Sequence, residues 1–156
     1  MDEDMRIYNH YDHVSIAHNN ISFDIDLSKF QNRIKKAQMA LDLQVFTDSK
    51  QYMPMQSGMF INLTQAEAMA EAGSGRVCVA RSPFGRFLYF GKVMVDPVTY
   101  SPFARRGVRK IVTERDLNLS RGSSPLAQKM WFEVSKDRNR QNWINLVKNY
   151  VEGKYE

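Results

Sequence analysis

Leu27, Phe30, Ile34, Ala37, Leu41 and Val45 recur at steps of three and four, while Lys29, Arg33, Lys36 and Asp42 fall between them. That spacing predicts an amphipathic helix of about five turns, with Ser28 and Gln31 placed as a capping box at its start. A helix this long has to bury its apolar stripe against something. The 156 residues have the size of one domain, 1–156, and show no repeat, linker or low-complexity tract. With 43% hydrophobic and 25% charged residues the chain is expected to fold. One cysteine, Cys78, has no second thiol for a disulfide or a multi-thiolate zinc site, so packing alone must hold the fold.

Around that helix the pattern predicts strands and turns. Val14 and Ile16 alternate, Asn19-Asn20 offers a turn, and Ile21, Phe23 and Ile25 alternate again, which reads as a hairpin or a bent strand pair. Pro54 and Gly58 end any helix that reaches them. Short strands are expected at 59–63, 77–80, 87–94, 111–113 and 117–119, broken by turns at Gly73-Ser74-Gly75 and Ser82-Pro83-Phe84-Gly85, with a short helix at 66–72. Near the end, Leu126, Met130 and Val134 and then Trp143, Leu146, Val147 and Tyr150 form two apolar stripes, read as one helix with a solvated middle or two abutting ones. The expected class is α+β: an antiparallel sheet packed against a long N-terminal helix, with a closing C-terminal helix.

Charge is uneven along the chain. Residues 1–75 carry 6 basic and 10 acidic groups, 76–110 carry 8 basic groups against Asp96 alone, and 111–156 carry 8 against 6. A basic middle block points to a polyanion or an acidic protein surface as partner. The longest apolar runs, 87–90 and 93–95, fall far short of the roughly 20 residues of a bilayer span. The acidic start Met1-Asp2-Glu3-Asp4 does not suit a secretory leader, so no membrane partner is expected and synthesis in the cytoplasm is.

No pattern composes an active site. His10, His13 and His18 cluster, but without nearby cysteines and with strand spacing that separates 13 from 18 they read as solvated rather than metal-binding. Asp24 and Asp26 lack a nucleophile or third group and read as a strand charge and a helix cap. Gly73-Ser74-Gly75-Arg76 lacks a following Walker lysine and reads as a plain turn. Cys78 between Val77 and Val79 reads as a buried, inert thiol. No catalytic residue, cofactor or metal is expected. Arg81 and Arg86 interleave with Phe84, Phe87, Tyr89 and Phe90, which suits either a nucleic-acid surface or aromatics filling a core between solvated arginines.

Three motifs in order carry a resemblance: Tyr52-x-Pro54-x-x-x-Gly58 after Asp48, then Tyr89-Phe90-Gly91-Lys92-Val93-Met94-Val95-Asp96-Pro97, then Trp131-Phe132-Glu133-x-x-Lys136 with Trp143 seven further on. Over about residues 21–150 the chain resembles the minor capsid proteins of tailed phages and prophages of Gram-positive bacteria, which belong with the neck, head-tail joining and tail-completion proteins of long-tailed phages. It departs from them at Met55-Gln56-Ser57, where a lysine and an acidic or polar residue are usual, and at Phe84, where a tyrosine is usual. The resemblance implies a virion protein without enzyme activity, in a homo-oligomeric ring of twelvefold or sixfold symmetry at the head-tail junction. It implies portal-side connector or head-completion proteins and a tail terminator as neighbours, with non-specific contact to packaged DNA. The alternative function is a nucleic-acid-binding module using residues 76–110.

Within that block, Pro97 and Pro102 deny residues 95–110 continuous sheet pairing. The segment is expected to be an arm whose Tyr100 and Phe103, rimmed by Arg105, Arg106, Arg109 and Lys110, dock on a neighbouring subunit or neck protein, or else a lid folded over its own core.

Overall fold

Asp26 ends the last of three N-terminal strands and starts the long helix, because its Oδ1 accepts the Ser28 N–H at 2.8 Å. The computed structural model describes residues 6–10, 13–18, 21–55, 58–81, 85–119 and 121–155. The three strands are β1 (Arg6–His10), β2 (His13–His18) and β3 (Ile21–Asp26), paired antiparallel in that order. The expected hairpin is β2 with β3, in a register that sets Val14 against Ile25 and Ile16 against Phe23. Its Asn19-Asn20 turn lies outside the described residues, as does most of the turn expected at 82–85.

The long helix α1 runs Ser28–Lys50, five residues beyond the last position of the apolar stripe. The expected capping box does not form: Leu27 is the N-cap, no side chain bonds there, and Asp26 does the work instead. Only the second half of the stripe is covered. Ala37, Val45 and Phe46 are buried, whereas Phe30 and Ile34 are 47% and 44% exposed.

Four expectations between the two long helices are corrected. Residues 59–63 are helical, in α2 (Met59–Glu71), which absorbs the helix expected at 66–72. Gly58, at φ 77°, turns the chain into it, and the Asn62 N–H closes the first turn on the Gly58 carbonyl at 2.9 Å. The buried residues Ile61, Thr64 and Ala68 then fall at helical steps, a pattern a five-residue apolar run cannot announce. Residues 77–80 are irregular: the Val79 carbonyl accepts the Trp131 indole N–H at 2.7 Å rather than a neighbouring strand. Within 87–94, helix α3 (Gly85–Phe90) gives way at Gly91, φ 61°, to a short strand β4 (Lys92–Val95). Residues 117–119 form no strand, although the Leu117 N–H reaches the Gly91 carbonyl at 2.7 Å.

The strand expected at 111–113 is β5 (Ile111–Asp116), antiparallel to β4 with an irregularity between Lys92 and Met94. The C-terminal stripes resolve into one helix, α4 (Trp131–Val151), with Leu126 and Met130 outside it. The α+β class holds, with the long N-terminal helix packing on the C-terminal one. The core gathers Phe46, Tyr52, Met53, Ile61, Ala68 and Trp131 where α1, α2 and the start of α4 meet. Phe60 and Tyr89 meet the Trp131 ring edge-on at 6.0 and 4.9 Å between centroids. No helix among the described residues is long and apolar enough to cross a membrane.

Candidate functional site

The three motif segments meet around Trp131, which is fully buried. The Tyr52 carbonyl accepts the Gln128 N–H at 3.1 Å, and the Tyr52 hydroxyl accepts from Arg138, whose guanidinium lies over the Tyr52 ring. Pro54 is buried beside it. The Tyr89 carbonyl accepts the Met130 N–H at 2.8 Å, and the Tyr89 hydroxyl donates to the Glu133 carboxylate. Burial, and then the hydrogen bond to Glu133 and its charge, push that hydroxyl above the usual tyrosine range. Gly91 is needed twice over, for its positive φ and because a Cβ there would sit 3.1 Å from the Lys129 stem. Lys92 pairs with Asp116 at 2.9 Å on the surface. Phe132 stacks on Trp143, and the Trp143 indole N–H donates to Asp48 at 2.7 Å. These residues build the fold.

The segment after β4 is different, because it is rigid and yet presents apolar side chains to water. Asp96 is fully buried and accepts the N–H groups of Val98 at 2.8 Å, Thr99 at 3.1 Å and Arg105 at 3.2 Å, plus the Arg105 Nε and Nη2 at 3.0 and 3.2 Å. The Arg105 guanidinium first, then these backbone donors, hold its carboxyl well below the usual carboxylate range. The Asp96 N–H donates to the Ser101 carbonyl and the Tyr100 N–H to the Asp96 carbonyl, closing the turn with Pro97 inside it. On this pedestal Val98, Tyr100 and Phe103 are 67%, 69% and 84% exposed.

Tyr100 holds φ 53°, a left-handed conformation that a non-glycine residue keeps only where its surroundings dictate it. Of the expected basic rim, Arg105 is turned inward to Asp96 and Lys110 lies over the Phe87 ring at 5.0 Å. Arg106 and Arg109 have no ion-pair partner among the described residues, and both are exposed.

Two features escaped the sequence reading. Asp42, 2% exposed in the middle of α1, accepts the N–H groups of Gly73 at 2.8 Å and Gly75 at 3.1 Å and the Gln38 amide at 2.7 Å. The glycine turn does hold an anion, and the anion is the chain's own. A cleft of about 580 Å³ also opens between α1 and α4, lined by Leu41, Val45, Val77 and Trp143, with Lys136 and Arg140 one helical turn apart. Their four-residue spacing was the available signal.

Cys78 is half-buried against the core. Asp24 and Asp26 are exposed, Asp26 serving as the cap. Among the described residues no three histidine, cysteine or acidic side chains gather as a metal site. Compared with known proteins, the chain matches no family model, no curated protein and no solved structure.

Proposed function

We propose that the chain is a structural assembly protein of a phage neck, a ring subunit at the junction of head and tail that joins or completes the two. One observation carries the proposal: Tyr100 and Phe103 stand in solvent on a loop that buried Asp96 keeps rigid. Exposed aromatics on a floppy loop would collapse onto the nearest apolar surface. Held on a pedestal and flanked by arginines, they have the composition of an interface anchor before its partner arrives. The resemblance to neck proteins supplies the partner class, with connector or head-completion proteins on one side and the tail terminator on the other.

The test is the double substitution Tyr100→Ser with Phe103→Ser. The purified variant should melt within about 2 °C of the wild type, since surface changes usually stay inside about 0.5 kcal/mol. Heads carrying it should fail to join tails. A variant that melts far earlier by itself makes the segment a lid and removes the proposal's support. The exposed Arg106 and Arg109 favour a second reading, a surface for nucleic acid.

A further inference from the structure

α4 carries a row of side chains at four-residue steps, Phe132, Lys136, Arg140 and Ile144, and this row lines one side of the cleft between α1 and α4. Leu41 and Val45 of α1, Val77 and Val79 of the irregular segment, and Trp143 and Val147 of α4 supply most of the rest. The walls are therefore aliphatic and aromatic, with two cations set among them. Those cations are the anomaly. Like charges one helical turn apart stand about 5–6 Å from each other at their Cβ atoms, and their repulsion weakens a helix.

Nothing in the fold offsets that repulsion. Neither Lys136 nor Arg140 has an ion-pair partner among the described residues, although Glu133 and Asp137 each lie three positions before one of them. The Glu133 carboxylate accepts the Tyr89 hydroxyl instead. Asp42 is the acidic residue of the lining, and its oxygens are already taken, Oδ1 by the Gln38 amide and Oδ2 by the Gly73 and Gly75 N–H groups. Two cations without a counter-charge thus border an apolar slot.

Size and shape say what fits. Small-molecule sites enclose about 300–1,000 Å³ behind mostly apolar walls with a few placed polar groups. This cleft has about 580 Å³, and its lining on α4 runs from Phe132 to Val147, about 22 Å at ~1.5 Å per residue. A cleft of that length and volume is narrow. It takes an extended hydrocarbon chain, whereas a partner helix, about 10–12 Å across, enters only with single side chains. We propose that the cleft binds a single-chain carboxylate amphiphile, an anion of the fatty-acid kind. Its chain lies along Ile144 and Val147 against Leu41 and Val77, and its carboxylate bridges Lys136 and Arg140. The site uses no residue of the Asp96 loop, and it goes beyond the neck reading, standing or falling whatever the chain assembles with.

The experiment titrates the full chain with three probes that share one tail: decanoate, decyltrimethylammonium, and decyldimethylamine oxide, which has no net charge. Calorimetry gives affinity and stoichiometry, and the indole N–H signals in NMR spectra report the place. Decanoate should bind once per chain, roughly at millimolar or tighter, as about a dozen heavy atoms allow. It should move the signal of Trp143, which lines the cleft, more than that of Trp131, which is fully buried in the core. The cationic probe should bind roughly tenfold more weakly or worse, with the uncharged one between. Lys136→Gln with Arg140→Gln, both exposed, should weaken decanoate roughly tenfold and leave the uncharged probe unchanged. Ile144→Gln, at a wall that is 49% exposed, should weaken decanoate and the uncharged probe alike. A double variant that binds decanoate like the wild type overturns the proposal, and so does a cationic probe that binds as well as the anion. Decanoate that leaves the Trp143 signal in place up to its solubility overturns it too. Should the double variant fail to fold, the comparison of anion with cation on the wild type decides alone.

Discussion

Asp96 and Asp42 are two buried carboxylates that each organise a stretch of backbone, and both owe their burial to donors they hold. Asp96 faces five N–H groups, three from the backbone and two from Arg105. Its carboxyl titrates well below the ordinary range, so in acid the unfolded chain binds the proton first. The stability it contributes is complete above the unfolded carboxylate pKa of about 3.9 and drains away as the pH falls further. Asp96→Asn should accordingly melt earlier than the wild type at neutral pH, with the gap narrowing as the pH drops below about 4. Thermal melts at a series of pH values check this, and a gap that is constant with pH would mean the Arg105 pairing adds nothing. Asp42→Ala strands the Gly73 and Gly75 N–H groups. Gly73 and Gly75 are exposed, so water can take up the freed donors, and two hydrogen bonds at about 0.5–1.5 kcal/mol each put the loss at about 1–3 kcal/mol in urea unfolding. Asp42→Asn, which keeps an oxygen for both glycines, should lose markedly less.

At the scale of elements, α4 is fastened to the rest of the chain at two tryptophans. Trp131 fills the core and hangs its indole N–H on the Val79 carbonyl, so the irregular stretch around Cys78 depends on it. Trp143, three turns on, ties α4 to Asp48 near the end of α1. Trp143→Phe keeps the stacking on Phe132 and removes one charge-assisted hydrogen bond, which should cost about 1.5–3 kcal/mol in denaturant unfolding. Trp131→Ala opens a cavity at the meeting point of three elements and should cost about 3–5 kcal/mol. The strands behave differently. β4 and β5 pair irregularly, and their burial is one-sided, with Met94 and Val95 buried while Ile111 and Val112 are exposed. This small sheet serves chiefly to aim the loop that leaves Val95.

For the molecule as a whole, the net charge of +5 conceals an acidic front and a basic middle. We expect only weak, non-specific duplex DNA binding, in the roughly 10⁻⁴–10⁻⁶ M range at physiological salt. Arg106→Gln with Arg109→Gln should lower the slope of log affinity against log salt by about 2, one unit for each phosphate that is no longer neutralised. Tight or sequence-dependent binding in a filter or anisotropy titration would move the function to the nucleic-acid reading. The same asymmetry was legible without coordinates, and so was the first long helix, because an apolar step of three or four sustained over five turns fits no other local structure; the polar middle of the C-terminal stripes left one helix or two open until the structure joined them in α4. The single cysteine likewise excluded a disulfide within these residues. Segments 59–63 and 87–90 were not legible, since a short apolar run suits a strand or a helix equally until Gly58 and Gly91 take up positive φ against their neighbours. Strand β1 carries too short an alternation to stand out, and only pairing with β2 defines it. Nor could the sequence say that Asp42 would meet glycines more than thirty positions away, or that Phe30 and Ile34 would stay exposed on the stripe that buries Val45. Periodicity states which residues share a face of a helix; only the placement of a second element decides how much of that face is buried.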